Sequence, residues 1–252
     1  MDKRFGGNGY DDAWKIQQTS DGGYIVAGSS DSVADGDKTE TSRGGWDYWI
    51  VKLDVNGSKQ WDKRFGGSGH DYASAIQQTS DGGYVVAGSS DSVADGDKSE
   101  ASRGGGDYWI VKLNGNGNKQ WDKRFGGSNR DYALAIQQTS DGGYIAAGLS
   151  DSGANGDKSE ANRGGGDYWI VKLDRSGIKQ WDKRFGGSAY DYAYAIQQTS
   201  DGGYVAAGHS YSYSGPADGD KTEAPRGGTE YLIVKMDGSG NKQWDKLFGG
   251  SD

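Results

Sequence analysis

The chain contains no cysteine. Disulfides, thiolate metal centres and cysteine nucleophiles are thereby excluded. Histidine is nearly absent too: His70 and His209 are the only two, in different repeats and different loops. Neither has a histidine partner for a metal site or a proton relay. Hydrophobic residues make up only 33%, and no apolar run approaches the ~18 residues of a membrane-spanning helix, so no membrane insertion is expected. A signal peptide is missing, as it is from the mature form of a secreted protein. Basic residues are outnumbered, 28 Lys and Arg against 36 Asp and Glu, for a net charge of −8. They recur singly beside aspartates, as Lys52, Lys59, Lys63 and Arg64 do, and not in the clusters a phosphate backbone requires, so no nucleic-acid partner is expected. The GxSxG, P-loop and HExxH motifs are absent, and the glycine-rich FGGSG has no helix after it to make a phosphate cradle.

Low hydrophobicity with 46 glycines would by itself suggest disorder. Against that stand 9 Trp, 16 Tyr and 5 Phe recurring at fixed phase, each ring able to bury ~150–250 Å². The phase comes from a repeat. WDKRFGG begins at Trp61, Trp121 and Trp181, WDKLFGG begins at Trp244, and Met1 stands where the first tryptophan would be. That start at a repeat boundary points to a trimmed or assembled chain. The repeats span 1–60, 61–120, 121–180 and 181–243, with a partial copy over 244–252; the last full one is longer because of HSYSYSGPADGD at 209–220. Such a period marks a repeat architecture, and it makes residues 1–252 one domain of four modules.

Each module reads as four strands. In the second, DYASAIQQTS (71–80) runs into the turn DGG (81–83), followed by YVVAGSS (84–90), a long Asp/Ser/Gly loop (91–106), DYWIVKL (107–113), the turn NGNGN (114–118) and KQWDKRF (119–125). The runs are short, turn-bounded and without helical period. In the third strand, C, Tyr108 and Ile110 point one way and Trp109, Val111 and Leu113 the other, so both faces are apolar. In the fourth, D, Trp121, Lys123 and Phe125 share one face and Asp122 and Arg124 the other, as expected of a half-solvated edge. The fold class is all-β: a β-propeller of four antiparallel four-stranded blades, in preference to a β-solenoid. Residues 2–6, DKRFG, form a spare copy of strand D. A four-bladed monomer is the expected arrangement, and a strand-exchanged dimer forming a larger ring is the alternative.

WDKRFGGS-x-x-DYA-x-AIQQTSDGGYVVAG followed by DYWIVKL-x-x-x-G-x-KQW resembles the β-propeller repeat of bacterial and archaeal surface proteins often called the SBBP repeat. The likeness covers essentially the whole chain, which departs from the shortest members in its long DSVADGDKSEASRGG loop. It implies a propeller outside the cytoplasm or on the cell surface, and it carries no catalytic residues over.

Comparing the four copies locates candidate sites. The A-to-B turn TSDGG is invariant, whereas the D-to-A and B-to-C connections, on the opposite face, vary. Tyr10, Trp14, Trp46, His70, Arg130, Tyr190, Tyr194 and His209 fall there and form a candidate ligand face, aromatics and arginine being typical of interaction hot spots; neutral drift is the alternative account. The B-to-C loop carries a second pattern: Asp31, Asp35, Asp37 and Glu40; Asp91, Asp95, Asp97 and Glu100; Asp151, Asn155, Asp157 and Glu160; Asp218, Asp220 and Glu223. Calcium needs six to eight oxygens on a curled loop, so structural Ca²⁺ is one reading. An acidic solvent loop is the other, since Val33 occupies a usual ligand position and Ser42 stands where an EF-hand has Glu. Paired carboxylates alone are compatible with a glycosidase, but Asp71, Asp107 and Asp122 recur in other modules, as junction residues do. The expected function is a non-enzymatic scaffold or interaction module, with a protein or carbohydrate ligand. A multivalent lectin-like module and an engineered or recently amplified repeat without a native ligand are the alternatives.

Overall fold

The computed structural model describes residues 3–211 and 216–250; Met1, Asp2 and part of the long 209–220 segment lie outside them. Sixteen strands form four antiparallel sheets, each in sequential order. Blade 1 is β1 (Asp11–Gln18), β2 (Tyr24–Ser30), β3 (Asp47–Leu53) and β4 (Lys59–Phe65). Blade 2 is β5 (Asp71–Gln78), β6 (Tyr84–Ser90), β7 (Asp107–Leu113) and β8 (Lys119–Phe125). Blade 3 is β9 (Asp131–Gln138), β10 (Tyr144–Ser150), β11 (Asp167–Leu173) and β12 (Lys179–Phe185). Blade 4 is β13 (Asp191–Gln198), β14 (Tyr204–Tyr211), β15 (Thr229–Met236) and β16 (Lys242–Phe248). The chain divides into two compact units, Met1–Ser102 with Gly106–Arg124, and Arg103–Gly105 with Phe125–Asp252.

The invariant TSDGG turn explains itself locally. Gly22 sits at φ 81°, which a side chain resists. Asp21 accepts from the Thr19 hydroxyl at 2.5 Å and from the Gly23 N–H at 3.0 Å, and Lys52 from strand C reaches it at 2.8 Å. The lysine and these two donors hold the Asp21 carboxyl well below the usual range. Thr19, Asp21, Gly22 and Gly23 each therefore have a task in the turn.

Within the first unit, the β3 face bearing Tyr48 and Ile50 packs on the β7 face bearing Trp109, Val111 and Leu113, joined by Ile25, Ala27, Phe65, Ala73, Ile76, Tyr84 and Val86. Alternation along strand C thus feeds two contacts at once. The Tyr48 hydroxyl donates to the Trp109 carbonyl at 2.9 Å and lies against Gly88, where an added Cβ would be 2.7 Å away. The second unit repeats the device: Tyr168 donates to the Leu232 carbonyl at 2.8 Å, beside Gly208.

Strand D departs from the simple edge pattern. Asp62 and Arg64 are buried, at 4% and 7% exposure, while Trp61 on the other face is half-exposed. The charged face is covered by the long B-to-C loop. Asp62 accepts from Trp49 Nε1 at 3.0 Å, the Thr39 N–H at 2.9 Å and Lys59 Nζ at 2.8 Å. The spare copy at 3–6 also differs from expectation, because it joins no sheet. A D strand needs a free strand C beside it, and each of the four already pairs with its own. Phe5 instead packs on Trp49, Val51 and Leu53.

Removing the tyrosine hydroxyl leaves a buried carbonyl without its donor, which costs ~1–2 kcal/mol. Tyr48→Phe and Tyr168→Phe should each lower the urea midpoint by that equivalent, with an unchanged slope in chemical denaturation.

Candidate functional site

The turn from strand D to strand A is a run of backbone N–H groups pointing at the B-to-C loop and at the first residue of strand A. In blade 1, Gly6 donates to Asp37 (3.3 Å), Gly7 to Asp11 (2.8 Å), Asn8 to Asp35 (3.1 Å), Gly9 to the Ser32 hydroxyl (2.9 Å) and Tyr10 to Asp31 (2.6 Å). Blade 2 repeats all five. Gly66 donates to Asp97, Gly67 to Asp71, Ser68 to Asp95, Gly69 to Ser92 and His70 to Asp91. In blade 3, Asp157 accepts from Gly126 (3.2 Å) and Asn155 from Ser128 (2.8 Å), while Asp151 binds the Arg130 guanidinium at 2.8 Å. In blade 4, Asp220 accepts from Gly186 (3.3 Å) and Asp218 from Ser188 (2.8 Å).

The glutamates point elsewhere. Glu40 faces Lys63 and Arg64, Glu100 faces Lys123 and Arg124, Glu160 faces Lys183 and Arg184, and Glu223 binds Lys246. Asp97 also takes Arg43 at 3.0 Å and Arg64 at 2.7 Å. The carboxylates expected to converge on a cation are instead spread along one backbone turn and its arginines. Among the described residues, no three acidic or histidine side chains are arranged to hold a metal ion. Most of the aspartates that the calcium reading invokes accept instead from backbone N–H groups of the turn. Gly36, at φ 56°, brings the loop so close that an added Cβ would lie 2.3 Å from the Gly6 carbonyl.

Beneath this layer lie buried acids. Asp47 and Asp167 have no exposed surface, and burial raises them to about 6 and about 7, against the lowering effect of the N–H groups of Arg43 and Arg163 and of the nearby Arg64 and Arg184 guanidiniums. Asp81 and Asp141, in the DGG turns, are also pushed up by burial, but Thr79 and Lys112, and Thr139 and Lys172, bring them down to about 2.

On the outside of the same loops the aromatic residues gather. Tyr10 stacks on Trp46 at 6.1 Å, Trp46 meets Tyr72 at 6.1 Å, and Tyr72 lies parallel to His70 at 5.9 Å. The second unit has a denser group. Tyr190, Tyr192 and Tyr194 stack in sequence at 6.1 Å spacing, and His209 sits 4.8 Å from Tyr192, 5.1 Å from Tyr194 and 4.9 Å from Tyr211. Burial lowers the His209 pKa. Tyr72, Tyr192 and Tyr211 were not among the expected residues. Tyr72 and Tyr192 belong to the repeated DYA phrase, and only the neighbouring rings make them part of a surface.

Trp14 and Tyr194 occupy a special backbone position. Ala13 pairs with Gly28 and Lys15 with Ala27, which leaves Trp14 as the extra residue of a β-bulge; Tyr194 is its counterpart in β13. A bulge re-aims a side chain, and both rings are exposed. Trp14 stands apart from the Tyr10–His70 row in the described ring contacts, and Arg130 is engaged by Asp151.

No protein-family model matches the chain, and no curated protein does. Among solved structures, 94% of the chain overlays a Kuenenia stuttgartiensis hydrazine synthase chain at TM-score 0.50 with 9% identity, covering 49% of that chain. The present chain thus spans about half the length of that protein. A protein of unknown function from Bacteroides caccae (TM-score 0.35, 12% identity, 94% of this chain and 82% of that one) is also similar. So is the Neurospora crassa Pan2 WD40 domain (TM-score 0.48, 11% identity, 94% and 66%). At such identities the likeness concerns the fold alone. Four sequential antiparallel four-stranded sheets built from one repeat define the class: a β-propeller of four blades.

Two measurements follow. Thermal melts in excess EDTA and in excess Ca²⁺ should superimpose, because a cation selective for the native state would raise the midpoint. For the buried acids, a native pKa above the unfolded ~3.9 means that the folded chain takes up protons first. Asp47 and Asp167 therefore cost stability above pH ~7, and that cost is relieved as pH falls towards 4. Asp81 and Asp141 act oppositely, stabilising above pH ~4 and losing that effect as pH falls through 2. Carboxyl NMR titration should show midpoints near 6 and 7 that vanish in Asp47→Asn and Asp167→Asn respectively.

Proposed function

We propose that the chain is a non-enzymatic interaction module of a surface or secreted bacterial or archaeal protein, and that its ligand is a carbohydrate chain. The observation that carries this reading is the Tyr190–Tyr192–Tyr194 ladder with Tyr211 at its side, three of whose rings are 39% to 50% exposed. Sugar rings present C–H faces that lie on aromatic planes, while tyrosine hydroxyls serve their polar edges. The row of Tyr10, Trp46, Tyr72 and His70 offers a second surface of the same chemistry, and two surfaces on one chain favour multivalent capture of a repeating polymer. The extracellular setting rests on the resemblance of the repeat phrase to surface-protein propellers. Asp47 and Asp167, the carboxyls raised to about 6 and 7, have no exposed surface for a substrate to reach.

A glycan array probed at high protein density should show binding to extended polysaccharides. Tyr190→Ala with Tyr194→Ala should weaken it roughly tenfold or more without moving the thermal midpoint by more than a few degrees. A blank array, with capture only of proteins, would replace the carbohydrate reading by a protein-binding one.

A further inference from the structure

Two faces of the chain have the form of the blade-to-blade contact yet lack its covering. In that contact Tyr48 is fully buried, with its hydroxyl on the Trp109 carbonyl beside Gly88, and Tyr168 repeats the arrangement on Leu232 beside Gly208. Tyr231 holds the corresponding strand C position in blade 4, opposite His209 and Phe248 in the ladder, and it is 70% exposed. Phe248 is 54% exposed, whereas Phe65 and Phe185 in the same place are 6% and 5% exposed. Val205, Ala207 and Ile233 on this face are only half-buried.

Blade 1 carries the complementary half. Ala13, Val26, Gly28, Trp49, Val51 and Leu53 line a cavity of about 210 Å³. It lies where the matching residues of blade 2 (Ala73, Val86, Gly88, Trp109, Val111 and Leu113) receive Tyr48. At its margin Ile16 is 59% exposed, while its counterpart Ile76 is buried.

We propose that blade 4 of one copy of this chain docks on blade 1 of a second copy, seating the Tyr231 ring in that cavity with its hydroxyl donating to the Trp49 carbonyl. The chain carries both halves of a contact that it already makes in each unit, matched down to the glycine that leaves room for the phenol. An exposed apolar sheet face of this kind is a surface that a partner covers. The contact is head-to-tail, so copies add until a ring closes. Phe5 competes with it. Phe5 packs on Trp49, Val51 and Leu53 as Phe65 packs on Trp109, Val111 and Leu113, and Gly6 meets Asp37 as Gly66 meets Asp97. An incoming Phe248 must displace Phe5, which weakens the association and makes it strongly concentration-dependent.

Sedimentation velocity over a wide concentration range tests this on the whole chain. The mass should rise above one chain, and Phe5→Ala should move that rise to lower concentration. Tyr231→Ser and Ala13→Trp, both at exposed positions, should each remain single chains with unchanged circular dichroism. Mixed together they should form a two-chain complex, because the first keeps its cavity and the second its tyrosine. A single-chain mass at every concentration overturns the proposal. So does a mixture that never pairs, or a monomer whose Tyr231 resists nitration, which would mean that the chain covers this residue itself.

Discussion

A backbone turn of five consecutive N–H donors, three of them buried or partly buried, finds an acceptor for each, and the repeat is organised around supplying them. Gly66, Gly67, Ser68, Gly69 and His70 each donate to a side chain of Asp97, Asp71, Asp95, Ser92 or Asp91. Each buried donor left unpaired would cost ~1–3 kcal/mol, and hydrogen bonds to ionised acceptors are the stronger kind. The requirement sets the spacing of the acidic loop, its length and the glycine at φ 58° that curls it. It also fixes the path of the chain between strands B and C, so the loop is a structural layer rather than a solvent excursion. Arg64 completes that layer by joining Asp97 at 2.7 Å and Glu40 at 3.6 Å across neighbouring repeats.

That layer changes the meaning of the charge pattern. A strand reading KQWDKRF looks like an edge with an aromatic side facing in and a charged side facing water. Once the loop lies on it, Asp62 and Arg64 become interior residues, each engaged by several partners. The strands themselves were legible, because strand C is apolar on both faces and every strand is bounded by a glycine or Asx turn. The partners of Asp91, Asp95 and Asp97 were not. They lie 21 to 31 residues upstream, in a turn whose own sequence is mostly glycine. A template that inspects the loop alone finds oxygen atoms and infers a cation; the backbone N–H groups that these oxygens accept from lie elsewhere in the sequence.

The variable aromatic residues were legible as a set of positions but not as a surface. Comparing copies finds Tyr10, Tyr190 and Tyr194, because they differ from their counterparts. It passes over Tyr72 and Tyr192, because those recur. The ladder needs both kinds: Tyr192 stands between Tyr190 and Tyr194 and touches His209 and Tyr211 as well. Spatial neighbourhood, set by strand pairing between β13 and β14, decides which rings meet, and no spacing rule along one strand contains it.

The β-bulge in strand A separates what must stay constant from what is free to vary. Ala73 and Ala75 keep their pairing with Gly88 and Ala87, so the residue between them carries no ladder bond and no place in the register. Trp14, Ser74, Leu134 and Tyr194 occupy that position in the four modules. Large and small residues are tolerated there because the side chain leaves the sheet without disturbing Gly88, whose added Cβ would sit 1.8 Å from the Tyr72 carbonyl. A repeat protein built this way changes its surface chemistry one residue at a time while the strand register stays the same and the turn still donates to the loop at Asp37, Asp97, Asp157 and Asp220. The aromatic enrichment of the second unit is then a local change on a constant frame: Tyr194 on the bulge, Tyr190 in the turn and His209 and Tyr211 on β14 differ from the matching residues of blade 2, while β13 pairs with β14 in the register that β5 keeps with β6.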